Sequence, residues 1–148
     1  MGGNMTDTTS IRLINCGLFV LRVGFGIVMM IHGVPKLMAG PELWAKLGTA
    51  MGVFGIHFAP TFWGFMAAFS EGIGGLFLVL GLGVRVFAAL LAFTMLVATL
   101  MHYMKGDTFS VYSHALSLAI VFFSLMICGG GNWSIGARIK AMAGRWFQ

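Results

Sequence analysis

Charged side chains are scarce in this sequence: they make up 9% of its 148 residues, whereas hydrophobic residues make up 59%. A soluble domain usually has about a quarter of its residues charged. This chain lacks the polar groups needed to cover a water-facing surface, which excludes a soluble globular fold. The composition predicts an integral membrane protein whose first partner is membrane lipid.

Cysteine is also scarce, and the spacings that metal and redox sites require are missing. Cys16 and Cys128 lie near opposite ends of the chain and no C-x-x-C is present, which argues against a thioredoxin-type or structural zinc site. The histidines show neither H-x-x-x-H nor E-x-x-H spacing. We therefore predict no metal site, and we find no flavin or nucleotide motif. Both cysteines are interpreted as apolar packing residues.

Four hydrophobic stretches each approach the ~20 residues that cross a bilayer. They cover about residues 11–34, 60–80, 85–103 and 109–127. Arg22 interrupts the first stretch and no signal-peptide cleavage site follows it, so we expect a retained first span. Between the first two stretches lies PELWAKLGTAMG, whose pattern predicts a short amphipathic helix on the membrane surface, with Trp44 at headgroup depth.

The sequence thus predicts an all-α membrane protein, a bundle of four transmembrane helices with a short interfacial amphipathic helix between spans one and two. We expect a disordered tail over 1–10, the transmembrane domain over 11–132 and a basic amphipathic tail over 133–148. Four spans put both termini on one side, which carries five basic residues against three on the other. This bias predicts cytoplasmic termini in a bacterial cytoplasmic (inner) membrane, and the spread of basic residues argues against nucleic-acid binding.

Sequence position can be converted to depth, because a helix rises ~1.5 Å per residue. On this scale Arg22 of span one and Glu71 of span two both lie near the midplane. A charge there costs at least ~2.5–3.5 kcal/mol, so each needs a partner. We therefore predict a buried Arg22–Glu71 ion pair, on a small-residue face of span two that allows close helix packing. The pair has two open interpretations, fixing the helix register or also acting on a ligand.

A second polar cluster is expected in the outer third of the bundle, where span ends meet. Its candidate ligand-binding residues are His32, Lys36, His102 and His114. Hydrogen-bond donors and proton carriers at this depth suit a quinone headgroup, whose two carbonyl oxygens need both. His57 is interpreted as incidental.

Two stripes run down from this cluster and are expected to face the bundle interior. On span three the stripe is Ala88, Ala92, Met95, Thr99 and His102. On span four it is His114, Ser117, Val121, Ser124 and Cys128. Together they predict a partly polar cavity that opens outward.

Four pieces of sequence resemble the DoxX family of small four-span membrane proteins. They are LRVGFGIVMMIHGVPK, SEGIGGLFLVLGLGVR, the end of span three with His102, and YSHALSLAIVFFSLMICGGG. The resemblance covers about residues 18–135. It implies that five residues match polar positions of the family pattern, namely Arg22, His32, Lys36, Glu71 and His102. It also implies an association with quinone-linked sulfur oxidation, resistance to quinone or catechol stress, or redox-stress complexes.

These observations lead to one functional hypothesis with two alternatives. The first is a membrane subunit that binds a quinone or similar small redox molecule in an outward-facing polar pocket, with a soluble oxidoreductase partner supplying electrons. Whether the protein is itself an enzyme stays open, as does a homo-oligomer. The alternatives are a small-molecule or ion transporter gated by Arg22–Glu71, and a structural membrane anchor.

Overall fold

The computed structural model describes residues 5–139, and this part of the chain is almost entirely helical. The elements are α1 (Met5–Met38), α2 (Pro41–Gly48), the 3-10 helix η1 (Thr49–Phe54), α3 (Pro60–Leu80), α4 (Val84–Met104) and α5 (Phe109–Cys128). Four of them, α1, α3, α4 and α5, are long and apolar enough to cross a membrane. The all-α fold with four spans is therefore confirmed. Residues 1–4 of the predicted N-terminal tail and residues 140–148 of the predicted C-terminal tail lie outside the described residues.

The first helix is longer than the sequence pattern predicts at both ends. It begins at Met5, so the expected disordered tail is wrong for residues 5–10. At its other end it continues through Pro35, because Ala39 N–H donates to the Pro35 carbonyl at 3.0 Å and the regular bonding resumes. Proline removes one backbone donor, and a helix of 34 residues tolerates that loss.

Glycines set the packing of α1 against α3. A Cβ on Gly33 would overlap the backbone of Glu71 and Gly72, and a Cβ on Gly26 would lie 2.7 Å from the Gly75 carbonyl oxygen. Such close approach needs residues without side chains, the usual basis of helix association in lipid. The small-residue face predicted on span two is confirmed in part, because Gly75 meets α1 as predicted whereas Gly64 meets α2 and Gly74 meets α4.

The short helix expected after span one is present as α2. It packs on the start of α3, where Gly64 meets the backbone of Trp44. The Trp44 indole N–H donates to the Lys36 carbonyl at 2.8 Å, and its ring meets Phe65 edge to face. These contacts join α2 to both α1 and α3. The short helix therefore packs against one end of the bundle.

The apolar core is formed mainly by α4 and α5, with Met29 of α1 and Leu78 of α3. The interior stripe predicted on span three is confirmed for its first four residues, which are buried: Ala88, Ala92, Met95 and Thr99. The stripe predicted on span four is wrong. Its buried residues are Leu118, Ala119, Phe122 and Leu125, whereas His114, Ser117 and Ser124 are exposed. Ser124 bonds its own helix, donating to the Ile120 carbonyl at 2.9 Å, so its hydroxyl does not need the interior.

Candidate functional site

Arg22 is held by backbone carbonyl groups at the end of the bundle away from α2. Its side chain is almost fully buried. Its terminal nitrogens donate to the carbonyls of Leu78 (3.0 Å), Val79 (2.7 Å) and Trp133 (2.6 Å). The last two turns of α3 carry the negative end of the helix dipole, which suits a cation. Arg22 therefore joins α1, α3 and the turn after α5.

The predicted Arg22–Glu71 pair is wrong, because α1 and α3 meet in a different register. Gly33, not Arg22, faces Glu71, and Gly26 faces Gly75. Continuing this antiparallel register places Arg22 beside Gly81, about ten residues or ~15 Å along α3 from Glu71. The depth estimate failed because it assumed that the midpoints of the two spans lie side by side, whereas the residue of α1 that faces Glu71 is Gly33, eleven residues beyond Arg22.

Glu71 pairs instead with Lys36, one helical turn beyond Gly33. Lys36 Nζ lies 2.6 Å from Glu71 Oε2, with side-chain exposures of 32% for Lys36 and 5% for Glu71. The carboxylate is thus the buried partner, while the ammonium still reaches open space. Lys36 has further N–H donors that Glu71 does not use.

Removing the two partners one at a time is expected to give unequal losses. Lys36→Met leaves a buried carboxylate unpaired and should lower the free energy of unfolding by about 2 kcal/mol. Glu71→Gln keeps a polar side chain beside a partly solvated ammonium and should cost about 1 kcal/mol. Unfolding by SDS in mixed micelles measures both, together with the double variant.

Lys105→Met is the matched control, since Lys105 is exposed on the rim of the same cavity. We expect it to change stability by less than about 0.5 kcal/mol. Strictly additive losses in the double variant would contradict a direct Lys36–Glu71 interaction.

A second acid–base pair is formed by His102 and Asp107 across the turn after α4. His102 Nδ1 lies 2.7 Å from Asp107 Oδ2. The turn that brings them together contains Gly106 at φ 79°, and Asp107 N–H donates back to the His102 carbonyl at 3.1 Å. This is a glycine-dependent helix end of Schellman type. Asp107 was not predicted, although a glycine placed four residues after the histidine is a readable signal.

Both members of the first pair, Lys36 and Glu71, and His102 of the second pair line one cavity of about 730 Å³. It is enclosed by α2, η1, α3 and α4, and most of its wall is apolar or aromatic, including Met66, Phe62 and Phe93. Lys46 and Lys105 also line it and are exposed. The cavity therefore combines an apolar body with polar groups at a few positions, the usual form of a small-molecule site.

Trp63 adds a hydrogen-bond donor that the protein itself does not use. Its ring lines the cavity, and its indole nitrogen is buried without a hydrogen-bond partner among the described residues. A buried N–H group without an acceptor is rare in proteins and needs an explanation. An oxygen atom of a bound molecule would supply the missing acceptor.

The structure brings together two of the four predicted ligand-binding residues. Lys36 and His102 line the cavity. His32 and His114 do not line it and are exposed on the outer surfaces of α1 and α5, so their predicted place in this cluster is wrong. All four lie toward one end of the bundle, but equal depth does not fix the direction in which a helix presents a side chain.

Within residues 5–139 the structure contains no group of three or more His, Cys, Asp and Glu side chains that could hold a metal ion. Cys16 and Cys128 are both free and exposed. Neither cysteine therefore packs in the core, and both thiols lie on the outside of the bundle.

Much of the chain matches the model of a known protein family. This model, described as DoxX, matches residues 17–104, which is more than half of the chain and contains Lys36, Glu71 and His102 but not Asp107. Searches of curated proteins and of solved structures returned no match. The sequence resemblance is thus confirmed, while its last piece, in α5, lies beyond the matched residues.

Proposed function

The chain belongs to the DoxX family, and from this premise and the cavity described above we propose that it binds a quinone or a similar small redox molecule. The main support is that three hydrogen-bond donors, from three different helices, line one largely apolar cavity. They are Lys36 of α1, Trp63 of α3 and His102 of α4. An integral membrane protein with four spans gives such an apolar molecule direct access from lipid.

The cavity residues fit a quinone headgroup in size and in chemistry. Ring-shaped ligands of drug size occupy cavities of ~300–1,000 Å³, and this one measures about 730 Å³. A quinone carbonyl oxygen accepts hydrogen bonds, which Lys36 Nζ and the unpartnered Trp63 Nε1 can donate. The aromatic and methionine side chains provide surfaces for the ring.

Bound quinone supplies two-electron redox chemistry, in which each electron is matched by a proton. The protein's part is to hold and move those protons. With Nδ1 engaged by Asp107, His102 presents Nε2, which accepts a proton when the ring is neutral and donates one when it is charged. Lys36, paired with Glu71, can act in the same way at its Nζ. The two pairs thus supply two proton carriers, the number of protons that reduction of a quinone to a quinol uses.

We infer that electrons come from a soluble oxidoreductase partner, because such a partner can dock where the cavity opens. Lys46 and Lys105 at the opening favour an acidic surface on that partner. We also infer a bacterial inner membrane with both termini in the cytoplasm. The cavity then opens on the opposite face, where Lys36, Lys46 and Lys105 lie.

Two earlier alternatives lose support. The transporter gated by Arg22–Glu71 required a pair that does not form, since Glu71 binds Lys36. A purely structural anchor is disfavoured by the buried indole N–H of Trp63 at the cavity, which has no hydrogen-bond partner within residues 5–139, because a buried polar group without a partner costs stability.

The test is a titration of the purified protein in phosphatidylcholine nanodiscs with dimethoxy-methyl-benzoquinone, followed by quenching of tryptophan fluorescence. His102→Leu is expected to weaken binding about tenfold, the effect of losing one good hydrogen bond to a polar ligand. His32→Leu and His114→Leu make the same change outside the cavity and should leave the affinity unchanged. Equal affinities in all three variants would refute a ligand at His102.

A further inference from the structure

We propose that the groove between α4 and α5 holds the hydrocarbon tail of the molecule whose headgroup occupies the cavity. The protein would therefore select a long-tailed membrane quinone over a tail-less one. This inference rests on the proposed function and narrows the substrate class of the same site.

The groove is a second cavity of about 490 Å³ on the other flank of α4. Its walls are almost wholly apolar. Ala89, Ala92 and Leu96 contribute from α4, and Ile120 and Phe123 contribute from α5. The two alanines leave the space that larger side chains would fill, and the apolar walls suit a hydrocarbon chain.

Phe93 connects this groove to the polar cavity, since it lines both. Its ring is 46% exposed and stacks on Phe54 of η1 at a centroid distance of 6.2 Å and an interplanar angle of 14°. Phe93 thus lies at the edge that the cavity and the groove share. A chain attached to a headgroup in the cavity can reach the groove by passing over the exposed side of α4 at Phe93.

The expected selectivity is moderate, and its physical source is specific. A tail that leaves lipid for the groove gains no hydrophobic free energy, because both surroundings are apolar. What it gains is dispersion contact with fixed walls. We therefore expect the groove to favour a tailed quinone by about fivefold, which is about 1 kcal/mol.

The experiment compares dimethoxy-methyl-benzoquinone with its decyl derivative in the same nanodiscs, by tryptophan quenching. Ala89→Leu fills the groove and should weaken decyl binding about fivefold while leaving the tail-less probe unchanged. Because each variant is compared with the unmodified protein in identical nanodiscs, partitioning of the decyl compound into lipid cancels. Ala115→Leu is the matched control, at a half-buried position of α5 that lines neither cavity.

The outcomes separate the two proposals. If Ala89→Leu affects neither probe, the groove holds an ordinary lipid chain or a second copy, and the tail inference is overturned while quinone binding stands. Equal weakening of both probes would also overturn it. If neither probe binds the unmodified protein, the proposed function itself fails. Phe123→Ala, which removes one wall of the groove, should give the same decyl-specific loss and serves where Ala89→Leu folds poorly.

Discussion

Replacing Gly33 with alanine is expected to lower the free energy of unfolding by about 3 kcal/mol, at the upper end of overpacking effects. The added Cβ would overlap the backbone of Glu71 and Gly72 and lie 2.6 Å from the Glu71 Cβ. Backbone atoms cannot turn aside as a flexible side chain can, so α1 and α3 must separate. The separation also stretches the Lys36–Glu71 pair, so quinone binding should weaken in the same variant.

Gly24→Ala gives the control for this change within the same helix. A Cβ at Gly24 meets nothing within 4 Å. Alanine is the better helix former by up to about 1 kcal/mol, so Gly24→Ala should be neutral or stabilising. SDS titration followed by circular dichroism measures both variants. Equal stabilities would show that α1 and α3 do not approach closely at Gly33.

Arg22→Met is expected to cost about 3 kcal/mol of unfolding free energy, because carbonyl acceptors lose a charged donor where no water replaces it. The Leu78 carbonyl keeps the N–H of Gly81 at 3.1 Å. The Val79 and Trp133 carbonyls lose a donor at 2.7 and 2.6 Å. Methionine has similar length and no charge, so the loss reports the hydrogen bonds rather than a large cavity.

Two variants calibrate the Arg22 result. Arg12→Met removes an exposed arginine of the same helix and should change stability by less than about 0.5 kcal/mol. Arg22→Lys keeps the charge but reaches fewer carbonyls than the forked guanidinium, so it should fall between the two. If Arg22→Met and Arg12→Met unfold at the same SDS fraction, the hydrogen bonds from Arg22 to the three carbonyl groups make no net contribution to the free energy of unfolding.

The hydrophobic composition and the lengths of the hydrophobic stretches were enough to predict the fold. The predicted bounds of the second span agree with α3, and those of the third and fourth differ from α4 and α5 by one residue at most at each end. The family resemblance was also readable from short motifs. These features depend on local hydrophobicity, which lipid enforces along each helix separately.

The site was predicted only in part, because it depends on register and rotation between helices. Lys36 and His102 were correct as cavity residues, but Glu71 was assigned to Arg22 from depth alone. A charge can satisfy itself with backbone carbonyls, as Arg22 does, so a buried arginine does not identify a carboxylate. The prediction that the stripe on α5 faces the interior failed for a related reason. A serine hydroxyl that donates a hydrogen bond to a carbonyl of its own helix can face lipid.

The three carbonyl groups that accept hydrogen bonds from Arg22 also affect the order in which contacts form during synthesis. The guanidinium enters the membrane early, but its acceptors follow 56, 57 and 111 residues later in the chain. Until α3 is synthesised, Arg22 lacks its Leu78 and Val79 acceptors, and an unpartnered charge in lipid is costly. Trp133 follows α5, so the full set of Arg22 hydrogen bonds can form only after all four spans have been made.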